Sequence, residues 1–360
     1  MASWIASLLS GKSATDEVLE RAEAMRAWLG GREPVFRLSH FWEQIAARQI
    51  DLLRDAGIEN FKRVLPQNYF NWAVGHPVDP QFVSLLRSWA DHPSTVPLAA
   101  KLRGSARVRT VSKEYLASPI EQEVYAFFVG LLWRHATCVD PDGLASRLSE
   151  PRVGGPVPIY LEGRLISQDL ANSLREFRPF QRFLTGSASA TLAELGAGYG
   201  RLGCVAMAAA SCRYWVFDVP PALAVSEWYL STVFPNKRIF RWRPFEDWES
   251  VAAEIGQSDI AFFTVDQLAS LPPRRVDVFA SVSVIHEMTP AQVETYMRLQ
   301  FRSAARAVYT KNWTAWFNDV DQHRFESKAL TPAEGWLTER DAVDDVLPTF
   351  TEKLFVRDSA

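Results

Sequence analysis

The sequence predicts an α/β protein: an open parallel sheet with helices on both faces, preceded by a mainly α-helical N-terminal domain. Three observations predict it. Up to about residue 185, apolar residues recur at helical spacing and no strand-like alternation repeats. From about Leu192 onward, short apolar runs alternate with helical patterns, the grammar of strands joined by helical crossovers. Between the two, Thr185-Gly-Ser-Ala-Ser-Ala-Thr191 is small and polar, which places a boundary between a 1-185 helical domain and a 186-360 sheet domain.

In the first part, Asp16 to Leu29 carries acids early and apolar Val18, Leu19, Ala22, Met25 and Leu29 on one face. Phe41 to Leu53 repeats the pattern, with Gly57 as a stop signal. Pro80 to Ala90, Ile120 to His135 and Ser167 to Leu184 are further expected helices, and Pro151 to Pro158 is a loop by composition. In the second part the expected strands are Thr191 to Leu195, Tyr214 to Phe217, Arg238 to Trp242, Ile260 to Val265, Asp277 to Ile285, Ala307 to Thr310 and Thr351 to Val356. Helices are expected over Leu202 to Ala210, Ala222 to Phe234 and Asp247 to Ile255. One more should start at the capping box Thr289-Pro-Ala-Gln292 and run to about Ala305.

With 48% hydrophobic and 22% charged residues the chain buries a real core, and a net charge of -3 offers no basic field for nucleic acid or an acidic membrane. The expected partner is therefore a small-molecule acceptor; whether copies of the chain associate is left open. Cys138, Cys204 and Cys212 form no paired spacing, so neither a disulfide framework nor a zinc site is expected. Met1 to Gly11 lacks the features of a secretory leader, and no apolar run reaches the ~20 residues that cross a bilayer. The expected setting is cytoplasmic, with reduced thiols. The 13 Trp and 22 Phe supply core packing, and some of them a stacking wall for a sugar or aromatic acceptor.

The most informative segment is Glu194-Leu-Gly196-Ala-Gly198-Tyr-Gly200-Arg-Leu-Gly203, a strand end and glycine turn leading into a small-residue helix. Glycines serve where the chain turns tightly and a ligand nears the backbone, and the helix start offers free N–H groups. Gly198 to Gly203 matches GxGxxG, and Asp218 lies 20 residues after Gly198, which would suit NAD and an oxidoreductase. Glu194 argues otherwise: a carboxylate at the bend repels pyrophosphate and attracts an ammonium.

The pattern Glu194-x-Gly196-x-Gly198-x-Gly200 resembles motif I of class I S-adenosylmethionine-dependent methyltransferases. That resemblance implies a Rossmann-like methyltransferase sheet and S-adenosyl-L-methionine as methyl donor. In such enzymes the acid faces the methionine portion, which implies this role for Glu194. Asp218, beside Val219, then matches the acid that accepts from the ribose hydroxyls. Asp266 and Gln267 match the polar pair near the adenine. Gly196, Ala197, Gly198, Gly200 and Ser281 complete the implied cofactor contacts. Tyr199 and Arg201 either touch the methionine end or brace the helical half.

The chain further resembles a bacterial family of sugar O-methyltransferases. The resemblance runs through Glu59-Asn-Phe-Lys-Arg63, Asn68-Tyr-Phe-Asn-Trp72 and Ser167-Gln-Asp-Leu-Ala-Asn-Ser173 with Glu176. It continues through Phe217-Asp-Val-Pro220, Tyr229-Leu230 and His286-Glu-Met288. It implies a sugar hydroxyl as acceptor and makes the helical half a lid, acceptor-binding or oligomerisation region. Where that family's pattern has Gln before Glu-Met, this chain has His286.

A sugar hydroxyl needs help to lose its proton. His286 has the intrinsic pKa for that, and Glu287 either orients it or acts as base itself. Both follow a buried strand at its C-terminal end, where ligands sit in open α/β sheets. Ser167, Gln168, Asp169 and Asn172, with Ser173 and Glu176, form a polar set expected to read acceptor hydroxyls or close over the cofactor. Lys311 and Asn312, followed by Trp313, should line the acceptor side, with Asn68, Tyr69, Asn71 and Trp72 contributing from the lid or packing in the core. No ligand spacing points to a metal, and none is expected. Besides the oxidoreductase, a catalytically silent methyltransferase-like binding protein remains an alternative.

Overall fold

The computed structural model describes residues 12–63, 96, 107–108, 119–138, 140, 142–187 and 189–358. The expected helix over Pro80 to Ala90 and the Asn68–Trp72 segment lie outside them.

Helix α1 (Ala14–Gly30) starts at a capping box between Ser13 and Asp16, and its apolar face buries Val18, Ala22, Met25 and Leu29. Helix α2 (His40–Ala56) is N-capped by Ser39 and stops at Gly57, whose φ of +77° is the left-handed region that glycine tolerates. The short strand β1 (Arg107–Val108) precedes helix α3 (Pro119–Cys138), and strands β2 (Ile159–Leu161) and β3 (Arg164–Ile166) follow it. These three strands form a small antiparallel sheet. The sequence reading missed it because two or three residues are too few to display alternation. Helix α4 (Gln168–Gln181) is N-capped by the Ser167 hydroxyl.

From residue 191 onward each expected strand and helix has a counterpart. Strand β4 (Thr191–Leu195) leads through the glycine turn to helix α5 (Arg201–Ala209), strand β5 (Arg213–Asp218) and helix α6 (Ala222–Val233). Strand β6 (Ile239–Phe240), helix α7 (Glu249–Gln257), strand β7 (Ile260–Thr264), strand β8 (Val276–Val282) and helix α8 (Pro290–Ser303) follow. Strand β9 (Ala304–Trp313) runs into a hairpin of β10 (Ala315–Asn318) and β11 (His323–Glu326), then β12 (Trp336–Val343) and β13 (Phe350–Arg357). The hairpin and β12 were not expected. Along β12 only Trp336 is buried, so this edge strand shows no hydrophobic period.

The large sheet has the order β12-β13-β9-β8-β4-β5-β7-β6. All neighbours from β9 to β6 are parallel, whereas β13 runs antiparallel between β9 and β12. Side chains alternate between faces. Leu192, Val216 and Tyr309 pack in one cluster with α4, α5 and α6, while Ala193, Phe217 and Val308 pack in another with α7 and α8. Strands covered on both faces read as apolar runs, and every residue of β4 and β7 is buried. Val18, Met25 and Phe61 from the N-terminal part share the first cluster with Tyr199, Leu223 and Tyr229.

Candidate active site

The site grows from the C-terminal ends of β4, β5 and β8. After Leu195 the chain reverses at Gly196, where φ is +69° and a Cβ would stand 2.4 Å from a methyl of Val284. The Gly196 N–H donates to Phe217 O (2.8 Å), and the Gly198 N–H donates to Asp218 Oδ2 (2.8 Å). The other oxygen of Asp218 accepts from its neighbour Val219 N–H at 2.7 Å. The turn is thus stitched to the end of β5 by a carboxylate.

Burial pushes the Asp218 carboxyl up to about 7 despite these two donors. Glu194 is 3% exposed and accepts from the Tyr214 hydroxyl. Burial raises its carboxyl to about 7 as well, against the pull of that hydrogen bond and of the nearby Arg201. Tyr214 is itself held by close packing: a Cβ at Gly203 would come within 2.1 Å of its ring. Gly203 therefore supports the hydroxyl that grips Glu194.

Ser283 and Val284 follow β8, and a 3-10 turn covers Ile285–Glu287. His286 is 1% exposed, with its ring edge-on to Trp316 (5.4 Å between centroids) and to Phe350, and tilted against Trp313 and Phe325. This apolar surround lowers its imidazole to about 3. Glu287 Oε1 lies 3.7 Å from His286 Nε2. Burial and the charge of Asp218 push the Glu287 carboxyl well above the usual carboxylate range. At neutral pH the imidazole is uncharged, and the Glu287 carboxyl holds its proton more tightly than an exposed one would.

A cavity of about 260 Å³ joins these groups. Its turn side carries Glu194, Gly196, Ala197, Gly198, Arg201, Asp218, Val219 and Val265; its aromatic side carries Trp42, His286, Glu287, Met288, Trp313 and Trp316. Gln292 and Tyr296 of α8, and Arg37, Leu38 and Ser39 from the chain before α2, also line it. The sequence reading did not single out Arg37, Leu38, Ser39, Trp42, Tyr296 or Trp316, and gave Gln292 only a capping role. The spacing Trp313-x-x-Trp316 was a visible signal for the last of these. Nothing local marked the segment before α2, which reaches the cavity through tertiary packing: Asp321, in the hairpin loop, accepts from the His40 and Phe41 N–H groups (3.1 and 3.2 Å).

Of the other expected site residues, all but Arg201 stand around the cavity without lining it. Tyr199 OH donates to Asp169 Oδ2 (2.9 Å), tying the turn to α4. Arg201 both lines the cavity and donates to Ser173 and Glu176. Glu176 also pairs with Lys311 (3.2 Å), which reaches Asp344 at 2.6 Å, so the Lys311 ammonium is spent in a buried ion cluster. Gly200 caps α5, and the Ser167 hydroxyl caps α4 and donates to Glu150 Oε2. Gln168 and Asn172 are buried in α4. Asp266 accepts from Trp28 Nε1 (2.9 Å), and Gln267 is engaged by Thr264 N–H and Arg243 O. Ser281 is fully buried in β8. Asn312 sits behind His286, its Oδ1 accepting from Ile285 N–H (3.0 Å).

Cys204 and Cys212 are buried and Cys138 is exposed, all unpaired by disulfides. Among the described residues no group of three or more His, Cys, Asp or Glu could hold a metal ion, and no helix is long and apolar enough to cross a membrane.

No protein-family model matches the chain, and no curated protein matches it in sequence. Solved structures do match. The 1,6-didemethyltoxoflavin-N1-methyltransferase of Burkholderia thailandensis, crystallised with S-adenosylhomocysteine, is 16% identical, covering 51% of this chain and 79% of its own, at a TM-score of 0.32. Magnesium protoporphyrin IX methyltransferase of Synechocystis, with bound S-adenosylmethionine, is 12% identical over 53% of this chain and 83% of its own, at 0.34. A Rhodobacter sphaeroides chain described as a Zn-dependent alcohol dehydrogenase scores 0.34 as well, at 11% identity, over 54% of this chain and 100% of its own. At such scores a likeness carries no weight for cofactor, reaction or acceptor, and this chain is similar in this limited sense to all three.

Proposed function

We propose that the protein is an S-adenosylmethionine-dependent methyltransferase acting on a hydroxyl of a small ring acceptor, a sugar or glycosylated metabolite. The observation that carries this reading is Glu194: a buried carboxyl lining the cavity at the glycine bend. A pyrophosphate there would meet a carboxylate, and the Gly198 amide that could greet it is already taken by Asp218. An α-ammonium would instead pair with Glu194. The antiparallel β13 inserted beside β9 also departs from the all-parallel dinucleotide arrangement.

In this reading Glu194 and Arg201 hold the two charges of the methionine tail, and Asp218 accepts from the ribose hydroxyls with its remaining lone pairs. When bound, S-adenosylmethionine supplies a methyl made electrophilic by its sulfonium. Trp42, Trp313 and Trp316 provide flat faces on which a ring can lie, and His286 takes the acceptor proton. Gly196, Ala197, Gly198 and Val219 shape the walls. Tyr199, Asp169, Lys311, Ser167, Gln168 and Asn172 act from behind, by fixing α4 against the turn. Residues 1-185 would supply the lid and 186-360 the cofactor-binding portion, in a cytoplasmic enzyme.

Calorimetry of the full chain with S-adenosylhomocysteine and, separately, NADH tests the reading. Saturable binding of the first, weakened in Glu194→Gln, and no heat from the second are expected. Binding of NADH, or none of S-adenosylhomocysteine, would overturn it.

A further inference from the structure

Asn312 offers its side chain to three groups, and their chemistry admits one orientation. Its Oδ1 accepts from the Ile285 N–H (3.0 Å) and lies 3.3 Å from His286 Nδ1, while its Nδ2 donates to Thr310 Oγ1 (3.2 Å). Rotating the amide by half a turn would set two donors, Nδ2–H and the Ile285 N–H, against each other. A backbone N–H can only donate, so Oδ1 must face it. Asn312 is fully buried in β9, where a donor–donor mismatch would be costly. The atom presented to the imidazole is therefore an acceptor, and the ring nitrogen facing it must carry the proton.

We infer that Asn312 is a positioning residue that locks His286 in the Nδ1–H tautomer and so leaves the Nε2 lone pair as the proton acceptor of the reaction. This rests on the methyltransferase reading for the reaction, though not for the tautomer. The aromatic rings of Trp313, Trp316, Phe325 and Phe350 hold the imidazole from the sides, and none of their ring faces offers a competing acceptor as strong as the amide oxygen. Glu287 stands 3.7 Å from Nε2, beyond hydrogen-bond reach.

The step then balances. The acceptor O–H bond breaks and its proton goes to Nε2. With S-adenosylmethionine bound, the oxygen pair would form the new O–CH3 bond and the C–S pair would return to sulfur as a neutral thioether. One positive charge would leave the sulfonium as another appears on the imidazolium; burial lowers the imidazole to about 3, so Nε2 would hold the proton only transiently, as the methyl moves. The imidazolium afterwards loses its proton to solvent with product release.

Long-range 1H–15N NMR of the full chain with 15N-labelled histidine tests this. The chain has six histidines, and His286 is assigned by its loss in His286→Gln. A protonated Nδ1 and bare Nε2 are expected; a protonated Nε2 overturns the inference whether or not S-adenosylhomocysteine binds. Absence of S-adenosylhomocysteine binding with the expected tautomer present would instead sink the methyltransferase reading and leave the lock standing.

In Asn312→Ala the tautomer should shift toward Nε2–H. With an acceptor that turns over, kcat should fall about tenfold while KM for S-adenosylmethionine stays within about twofold, as expected when one oriented contact is lost. Asn312→Asp, whose carboxylate can accept from both Ile285 N–H and Nδ1–H, should recover most of that loss. In a His286→Ala background Asn312→Ala should cost nothing further; an added loss there marks a merely structural role and overturns the lock. If the alanine variant does not fold, the wild-type spectrum and the aspartate variant decide.

Discussion

The two sides of the cavity are built in different ways. The turn side comes mostly from one stretch of 25 residues between Glu194 and Asp218, and its geometry is fixed by backbone: a left-handed glycine, two N–H groups on one carboxylate, a helix start. The aromatic side is gathered from Trp42, from the turn bearing His286, and from Trp313 and Trp316 at the end of β9 and in β10, and is fixed by ring packing. A local, backbone-defined site can serve one invariant ligand. A side assembled from loops and a hairpin can be reshaped without disturbing the sheet, which suits the part that meets a variable acceptor.

This contrast can be broken or sharpened by experiment. His286→Ala should give the largest effect, lowering turnover by about 100-fold or more while S-adenosylhomocysteine affinity holds within about twofold. Unchanged turnover would remove the imidazole from the chemistry. Asp218→Ala acts on the opposite side: it leaves the Gly198 and Val219 N–H groups unpaired, and should weaken S-adenosylhomocysteine by about 2 kcal/mol, roughly 30-fold, in calorimetry. Equal binding by the variant and the wild type would free the turn side of its assigned role.

pH should act on the turn side through two carboxyls. Burial holds the carboxyls of Glu194 and Asp218 near 7, and a ligand ammonium or hydroxyl donor favours their ionised forms. Binding then releases protons below that pH. Affinity for S-adenosylhomocysteine should improve by about tenfold per responding carboxyl from about pH 6 to about pH 8, then level off. Weaker binding at the higher pH would contradict the pairing. For the unliganded fold the sign is reversed, since acids with raised pKa destabilise as pH climbs from about 4 through about 7. Trp316→Ala should produce the smallest change, raising acceptor KM about fivefold with cofactor affinity untouched. A matching loss of cofactor affinity would mean that the two sides are not separable.

The same contrast explains what could be read from the chain in advance. Strand β4, the glycine turn and the capping box of α8 are local, and short-range rules place them within a residue or two. Glu194 and Asp218 follow from their spacing to the turn. Asn312 drew attention as a residue after an apolar run, yet its partners lie 26 and 27 residues away, and only the fold shows that it stands behind His286. Lys311 was expected on the acceptor side for the same position after the strand, but its ammonium pairs with Glu176 and Asp344. Edge strand β12 was invisible because a strand exposed on both faces has no reason to alternate.

One feature of the core bears on anyone wishing to isolate the sheet half as a smaller working piece. Tyr199 leans on Phe61 and Asp169, Tyr229 receives a hydrogen bond from Lys62, and Trp28 donates to Asp266. Cutting the chain near residue 185 would strip these partners away at once, leaving the rings of Tyr199 and Tyr229 open to solvent and Asp266 without its Trp28 donor. Trimming from the front is therefore a poor route to a smaller working piece, and so is shortening the β10–β11 hairpin, whose Trp316 lines the cavity and whose Phe325 packs on His286.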